Sequence, residues 1–143
     1  MQIKLLMKNK AKKTIKKMIK RINDTTSIDS LTYMNIKAWL NETNNVKCFI
    51  LYENEIIKSF ALLHKCDYNP LNTHKNLYIL DFIYTFIPYR RNNMAYKLLL
   101  HIKNANNIIA FCSNDASFML FQKAEYVLTE GESIGPTPMF RYP

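Results

Sequence analysis

The apolar positions of this chain repeat with two different periods, and the changes of period mark out its elements. "MQIKLLM", Met1 to Met7, is short and apolar enough for a first strand. From Asn9 to about Asn23, Ile15, Met18, Ile19 and Ile22 fall at i, i+3, i+4 and i+7, which predicts an amphipathic helix. "DTTSIDS" supplies N-cap residues for a second helix, and Leu31, Met34, Ile36, Ala38, Trp39 and Leu40 give it an apolar side up to about Asn41. "VKCFILYENEIIKSFALLHKC" then reads as two strands joined in a hairpin at Glu53-Asn54-Glu55, by its turn residue and its β-branched and aromatic flanks.

A polar loop, "DYNPLNTHKN", is broken by Pro70. It leads into "LYILDFIYTFI", Leu77 to Ile87, whose near-continuous apolarity fits a strand buried on both faces in the middle of a sheet. Asp81 is its single charge. A helix from Arg90 to about Lys103 follows, then the short strand "NIIAFC", a helix opened by Ser113-Asn114-Asp115, and two strands around the turn "GESIGP". The order β-α-α-β-β-β-α-β-α-β-β predicts an α/β (α+β) fold, with a mixed central sheet of about six or seven strands and helices on both faces. At 143 residues and 48% hydrophobic content the chain has enough to bury one core and too little for two ordinary domains, so residues 1–143 form a single domain.

Charge changes the picture only at one end. Lys4, Lys8, Lys10, Lys12, Lys13, Lys16, Lys17, Lys20 and Arg21 precede the first acid, Asp24, and the remaining eleven bases are matched by eleven acids, so the whole net charge of +9 is local. These lysines fall on the wet side of the first helix, where they are either a solvated face or a patch that steers an anionic partner. No aromatic residue interleaves with them to stack on bases, so nucleic acid is not the favoured partner. No apolar run reaches the roughly 18–20 residues of a membrane span, and the N-terminus lacks a signal-peptide pattern, which predicts a soluble intracellular protein. Cys48, Cys66 and Cys112 are odd in number and widely spaced, without a CxxC pair, so neither a disulfide framework nor a metal site is expected. The richness in Asn, Lys and Ile fits an AT-rich genome, such as that of some large viruses or parasites.

Two stretches carry a more specific pattern. "PYRRNNMAYKLL" follows the long central strand, and "SNDASFMLFQKAEYV" follows the next one. The first resembles the [QR]-x-x-G-x-[GA] signature of the GNAT superfamily of acyl-CoA-dependent N-acetyltransferases, provided one residue is missing after Pro88. Arg90 then takes the Q/R position, Asn93 the first glycine and Ala95 the second small residue. The second is similar to the family's N-x-x-A-x-x-L/F-Y-x-K-x-G-F segment, with Asn114 opening the helix, Phe121 at the usual tyrosine, Glu125 where glycine is common and Tyr126 at the usual phenylalanine. Element order extends the resemblance over the whole chain.

The resemblance implies a GNAT-like sheet, acetyl-CoA as cofactor and transfer of its acetyl group to a primary amine on a protein, a peptide or a small molecule. It implies that Arg90, Arg91, Asn92, Asn93, Met94 and Ala95 hold the pyrophosphate at a helix N-terminus. Asn tolerates the left-handed backbone that glycine would otherwise supply. The pantetheine amides would pair with the backbone of Tyr84, Thr85 and Phe86, where the central strand splays from the next. Asn114 and Phe121 complete the cofactor set.

Transfer needs a group to take the amine proton. Asp81, set among Leu80, Phe82 and Ile83, is one candidate base or a structural aspartate, and His64 is a second candidate base. Phe121 has no proton to give the thiolate, which leaves water, Tyr84, Tyr126 or Cys112 as the acid, or a catalytically weak protein. The alternative reading is a GNAT-fold CoA-binding or regulatory module that uses its Lys-rich first helix to bind an anionic partner. The acceptor is not legible, and a monomer and a homodimer are both compatible with the chain.

Overall fold

The computed structural model describes residues 1–25, 30–42, 45–65, 77–105, 107–111, 115–128 and 139–141. In chain order its elements are β1 (Gln2–Met7), α1 (Lys8–Thr25), α2 (Ser30–Asn41), β2 (Val46–Glu53), β3 (Ile56–Lys65), β4 (Leu77–Thr85), α3 (Met94–Ala105), β5 (Asn107–Phe111), α4 (Asp115–Lys123), β6 (Val127–Leu128) and β7 (Met139–Arg141). The strands form one seven-stranded sheet in the order β1-β2-β3-β4-β5-β7-β6. β1 to β4 pair antiparallel, β4 and β5 pair parallel, and β7 runs antiparallel to both β5 and β6. This is the mixed sheet that the element order predicts. The turn "GESIGP" lies outside the described residues.

Alternation along the strands builds two cores, one on each face. On one side Ala11, Ile15 and Ile22 of α1 and Ile36 and Trp39 of α2 pack on Leu6, Val46, Cys48, Ile50, Phe60, Leu62 and Phe86. On the other, Met94, Leu98, Leu99 and Ile102 of α3 and Phe121 of α4 cover Phe49, Leu51, Ala61, Leu63, Tyr78, Leu80, Ile108 and Ala110. β4 has helices over both its faces, which is why its sequence is apolar almost throughout. The hairpin turns at Asn54 and Glu55, both left-handed (φ 52° and 63°), the two-residue turn whose twist matches the flanking strands.

Two predicted boundaries move, and both moves shape the candidate site. The central strand stops at Thr85 rather than Ile87, and the next helix opens at Met94 rather than Arg90. Between them Ile87-Pro88-Tyr89 forms a 3₁₀ turn, with Tyr89 N–H donating to the Phe86 carbonyl at 2.9 Å and Arg90 N–H to that of Ile87 at 3.2 Å. Arg91 and Asn93 then take left-handed backbone (φ 68° and 58°), which no α-helix accommodates. Asn93 still contributes the carbonyl for the first helical bond, accepted from Lys97 N–H at 2.9 Å.

The end of α4 explains a residue that the sequence leaves odd. Glu125 is left-handed (φ 65°), Tyr126 N–H donates to the Phe121 carbonyl at 2.9 Å, and Glu125 N–H donates to that of Gln122 at 3.0 Å. This is the Schellman ending, which favours glycine at the position Glu125 holds. Its usual apolar contact is also present: the Phe121 and Tyr126 rings lie 5.5 Å apart. Cys48 is buried in the α1/α2 core, where desolvation pushes its thiol up to about 12. Cys66 and Cys112 lie outside the described residues.

Candidate functional site

β4 changes its neighbours at one residue. On its β3 side the register slips between Leu62, opposite Phe82, and Leu63, opposite Leu80, so that Asp81 is the extra residue of a β-bulge. On its other side the parallel pairing with β5 runs from Leu77 opposite Asn107 to Leu80 opposite Ala110, and goes no further. β4 itself continues to Thr85. Among the described residues the β5-facing edge of β4 beyond Leu80 has no strand partner, and the Thr85 carbonyl there accepts from a side chain, Arg90 Nε, instead. A bulge bends its strand and increases local twist, which accounts for the divergence of β4 from β5 at this point.

The same bulge turns Asp81 toward β3. Its Oδ2 lies 2.6 Å from Nδ1 of His64. Both side chains retain about a fifth of their exposure, 20% for Asp81 and 22% for His64, so the pair is reachable but largely desolvated. Burial raises the Asp81 pKa above its ordinary value; the hydrogen bond and charge of His64 oppose that rise, and the Glu42 charge adds to it. Trp39 of α2 fixes the strand beside His64, its indole Nε1–H donating to the buried Leu63 carbonyl at 2.8 Å. The two candidate bases of the sequence thus meet in one hydrogen-bonded pair on the α2 side of the sheet.

Tyr84 takes its place in an aromatic wall on the same side. Its ring stacks on Phe82 (6.0 Å, 18°) and meets Phe86 edge-on (5.4 Å, 89°). Its hydroxyl is buried and, among the described residues, has no hydrogen-bond partner. Arg21 of α1 lies over the Phe86 ring at 3.7 Å and donates to the Ile57 carbonyl at 2.6 Å, closing that end of the wall. Behind β4, buried Ser59 donates to the Tyr84 carbonyl at 2.7 Å and lies 2.9 Å from the Thr85 hydroxyl.

The loop from Arg90 to Asn93 has no glycine, and side chains hold it instead. Arg90 turns back onto β4, its Nε donating to the Thr85 carbonyl at 2.9 Å and its guanidinium 5.3 Å from the Tyr84 ring. The resemblance implies that Arg90 helps to hold the pyrophosphate; in the structure its guanidinium is turned onto β4. Asn92 Nδ2 reaches the carbonyls of Tyr89 at 3.2 Å and Arg90 at 3.4 Å. Asn93 Oδ1 accepts from Lys123 Nζ of α4 at 2.9 Å, and that ammonium also lies 4.6 Å from the Tyr96 ring. Arg91, Asn92 and Asn93 are exposed, Ala95 is half-buried, and Met94 is buried in the α3/α4 core.

These parts fit the cofactor that the sequence suggests. The first-turn N–H groups of α3 have no partners within the helix and, with the positive dipole end, suit an anion. Arg91 and Lys123 put cations beside that turn. The open edge of β4 suits an extended chain of amides. Lys123 was not singled out from the sequence, although it stands at the lysine of the family segment. Phe121 is buried against Tyr126, and Asn114 lies outside the described residues. Among the described residues no group of three or more His, Cys, Asp or Glu side chains could hold a metal ion, and no helix is long and apolar enough to cross a membrane.

No protein-family model and no curated protein sequence matches the chain. Solved structures do match in shape. A GNAT-family protein from Desulfovibrio desulfuricans superposes with a TM-score of 0.67 at 8% identity, covering 98% of each chain. Tetrahymena GCN5 gives 0.66 at 7% identity, over 99% of this chain and 95% of that one. Arabidopsis thaliana NAA60, solved in complex with acetyl-CoA, gives 0.60 at 12% identity over 99% of both chains. At such identities what is shared is the fold, and the fold of this chain is that of the GNAT acetyltransferases.

Proposed function

We propose that this chain, on its GNAT fold, is an N-acetyltransferase that moves an acetyl group from acetyl-CoA to a primary amine. One observation carries the reading: the bulge at Asp81 opens the β4 edge and, at the same residue, builds the pair with His64. A binding edge and a proton acceptor thereby lie side by side. The Thr85 backbone, the loop from Arg91 to Ala95 and the Lys123 ammonium would hold the cofactor. The Tyr84 carbonyl and the Phe86 N–H, which the resemblance also assigns to it, are already bonded to Ser59 and Lys58, and the Thr85 carbonyl would have to leave Arg90. Bound acetyl-CoA supplies an acyl group activated as a thioester.

The residues of the chain then have a proton to move. The amine attacks as the free base, its N–C bond forming as the C–S bond breaks, and its proton must leave. With Nδ1–H of His64 donated to the Asp81 carboxylate, Nε2 is the basic nitrogen of the pair, and the carboxylate stabilises the imidazolium that results. Phe121 has no proton to offer the departing thiolate, so that proton would come from water or from Tyr84, whose buried hydroxyl has no partner among the described residues. A thiolate is a fair leaving group near neutral pH, so the missing acid slows turnover without forbidding it.

A second reading, a GNAT-fold module that binds CoA without turnover, is favoured by the burial of Phe121 at the position of the family's tyrosine. Acetyl-CoA added during thermal unfolding separates these readings from a chain that ignores the cofactor: both require a rise in Tm at saturation. Turnover assays across amine classes then divide the two, since the enzyme releases CoA thiol with some amine and the module with none.

A further inference from the structure

We propose that the outward face of α1 is a docking surface for the phosphate backbone of double-stranded nucleic acid. Lys10, Lys13, Lys16, Lys17 and Lys20 are all exposed and, at 100° per residue, gather on the side of α1 opposite buried Ala11, Ile15 and Ile22. None of these five lysines pairs with an acid among the described residues. Of the remaining cations of α1, Lys8 stands at its first residue, while Lys12 and Arg21 are drawn inward: Lys12 donates to the Glu42 carbonyl at 2.6 Å, and Arg21 to that of Ile57 at the same distance. From Lys10 to Lys20 the outward face therefore carries cations as its only charges, and exposed Asp24, on the same side one turn further on, ends the stripe.

Its dimensions favour a duplex. From Lys10 to Lys20 the helix rises about 15 Å, and a strand of duplex carries a phosphate about every 3.4 Å of axis, so five cations face about four or five phosphates. Lysine, a point charge without the bidentate fork of arginine, suits backbone contact without base reading. The lack of aromatics on this face removes stacking on single strands and leaves duplex contact intact. A membrane is a poorer occupant, because a helix that lies in a lipid interface inserts its apolar face, and that face of α1 is spent on the sheet. An acidic protein is poorer too, since interface cores are depleted in lysine and built on aromatic or apolar anchors, which the stripe lacks.

The test is the salt dependence of binding to a labelled 20-base-pair DNA of mixed sequence, read by fluorescence anisotropy on the full chain. If all five lysines engage, log K falls against log salt with a slope near about −4.5. The triple variant Lys13→Gln/Lys17→Gln/Lys20→Gln flattens that slope by about 2.7, while Lys37→Gln/Lys97→Gln, exposed lysines on other helices, leaves it unchanged. Circular dichroism confirms folding, and the single variants Lys13→Glu and Lys17→Glu each weaken binding if the triple variant unfolds. A wild-type slope shallower than about −2 overturns the proposal, as does a triple variant that behaves like the control pair. Binding to polyglutamate or to phosphatidylserine vesicles as tight as to the duplex at the same salt also overturns it, assigning the face to acidic protein or lipid.

Discussion

His64 and Asp81 stand seventeen positions apart in the chain, yet their Nδ1 and Oδ2 atoms are 2.6 Å apart, joined by a bulge that adds one residue to β4 opposite β3. Without the extra residue the β4 side chains beyond it would exchange faces, and the carboxylate would lose its partner. The proton acceptor of the proposed site is therefore a product of sheet register.

Asp81→Asn tests that acceptor and the cost of keeping it. A carboxyl whose pKa is raised on folding, as burial raises that of Asp81, stabilises the fold below its unfolded value of about 3.9. That contribution is lost as pH rises through the folded value. The variant removes the titration and can still accept from His64. Its Tm relative to wild type should climb between pH 3.5 and pH 8, while acetyl transfer falls by about 10²-fold or more. Paired melts and turnover assays decide; a Tm difference that is flat with pH would refute the burial account.

Asn93→Val and Asn93→Gly test the loop. At φ 58° a β-branched residue is strongly disfavoured, whereas glycine is at ease. The valine variant should bind acetyl-CoA at least about tenfold more weakly by calorimetry, a loss of about 1.4 kcal/mol. The glycine variant, which also loses the Lys123 contact, should stay within a few-fold of wild type. Equal affinities for all three proteins would remove Asn93 from the site.

Glu125→Gly should stabilise the protein. Left-handed backbone costs a non-glycine residue about 1 kcal/mol or more, and the Glu125 carboxylate lies a loose 3.9 Å from Lys103 with 80% exposure, a contact of little value. A rise in Tm of about 2–4 °C is expected in differential scanning calorimetry for a chain of this size. An unchanged or lowered Tm would mean that this ion pair outweighs the backbone.

Cys48 should be chemically silent until the fold opens. Burial pushes its thiol up to about 12, leaving almost no thiolate to react at pH 8. In iodoacetamide labelling followed by peptide mass spectrometry, Cys48 should remain unmodified in the native protein and react fully in guanidinium. Rapid native labelling would place this residue outside the α1/α2 core.

Element order, the buried central strand and the amphipathic first helix were legible in the sequence because they rest on apolar periodicity, which a single chain displays. His64 and Asp81 could each be picked out by residue type, but their pairing depends on a bulge between two strands, and no pattern within either strand announces it. The helix after Arg90 was read four residues too early because Arg90 to Asn93 carries no breaker. What stops the helix there is backbone at Arg91 and Asn93, and arginine gives no local sign of a left-handed conformation. The reach of Arg90 back to Thr85 was not legible, since it exists only once the 3₁₀ turn reverses the chain. Lys123 went unnoticed because its partner, Asn93, lies thirty residues away.

A phosphate loop made of glycine keeps its freedom until the anion arrives, and binding must then meet the entropy of ordering it. The loop here is cross-linked in advance, by Asn92 to two carbonyls, by Asn93 to Lys123 and by Arg90 to β4. Its ordering cost falls due during folding. Cofactor capture by such a loop should therefore carry a smaller entropic penalty than capture by a glycine loop, at the expense of a slower unlatching whenever Lys123 must release Asn93 to meet a phosphate.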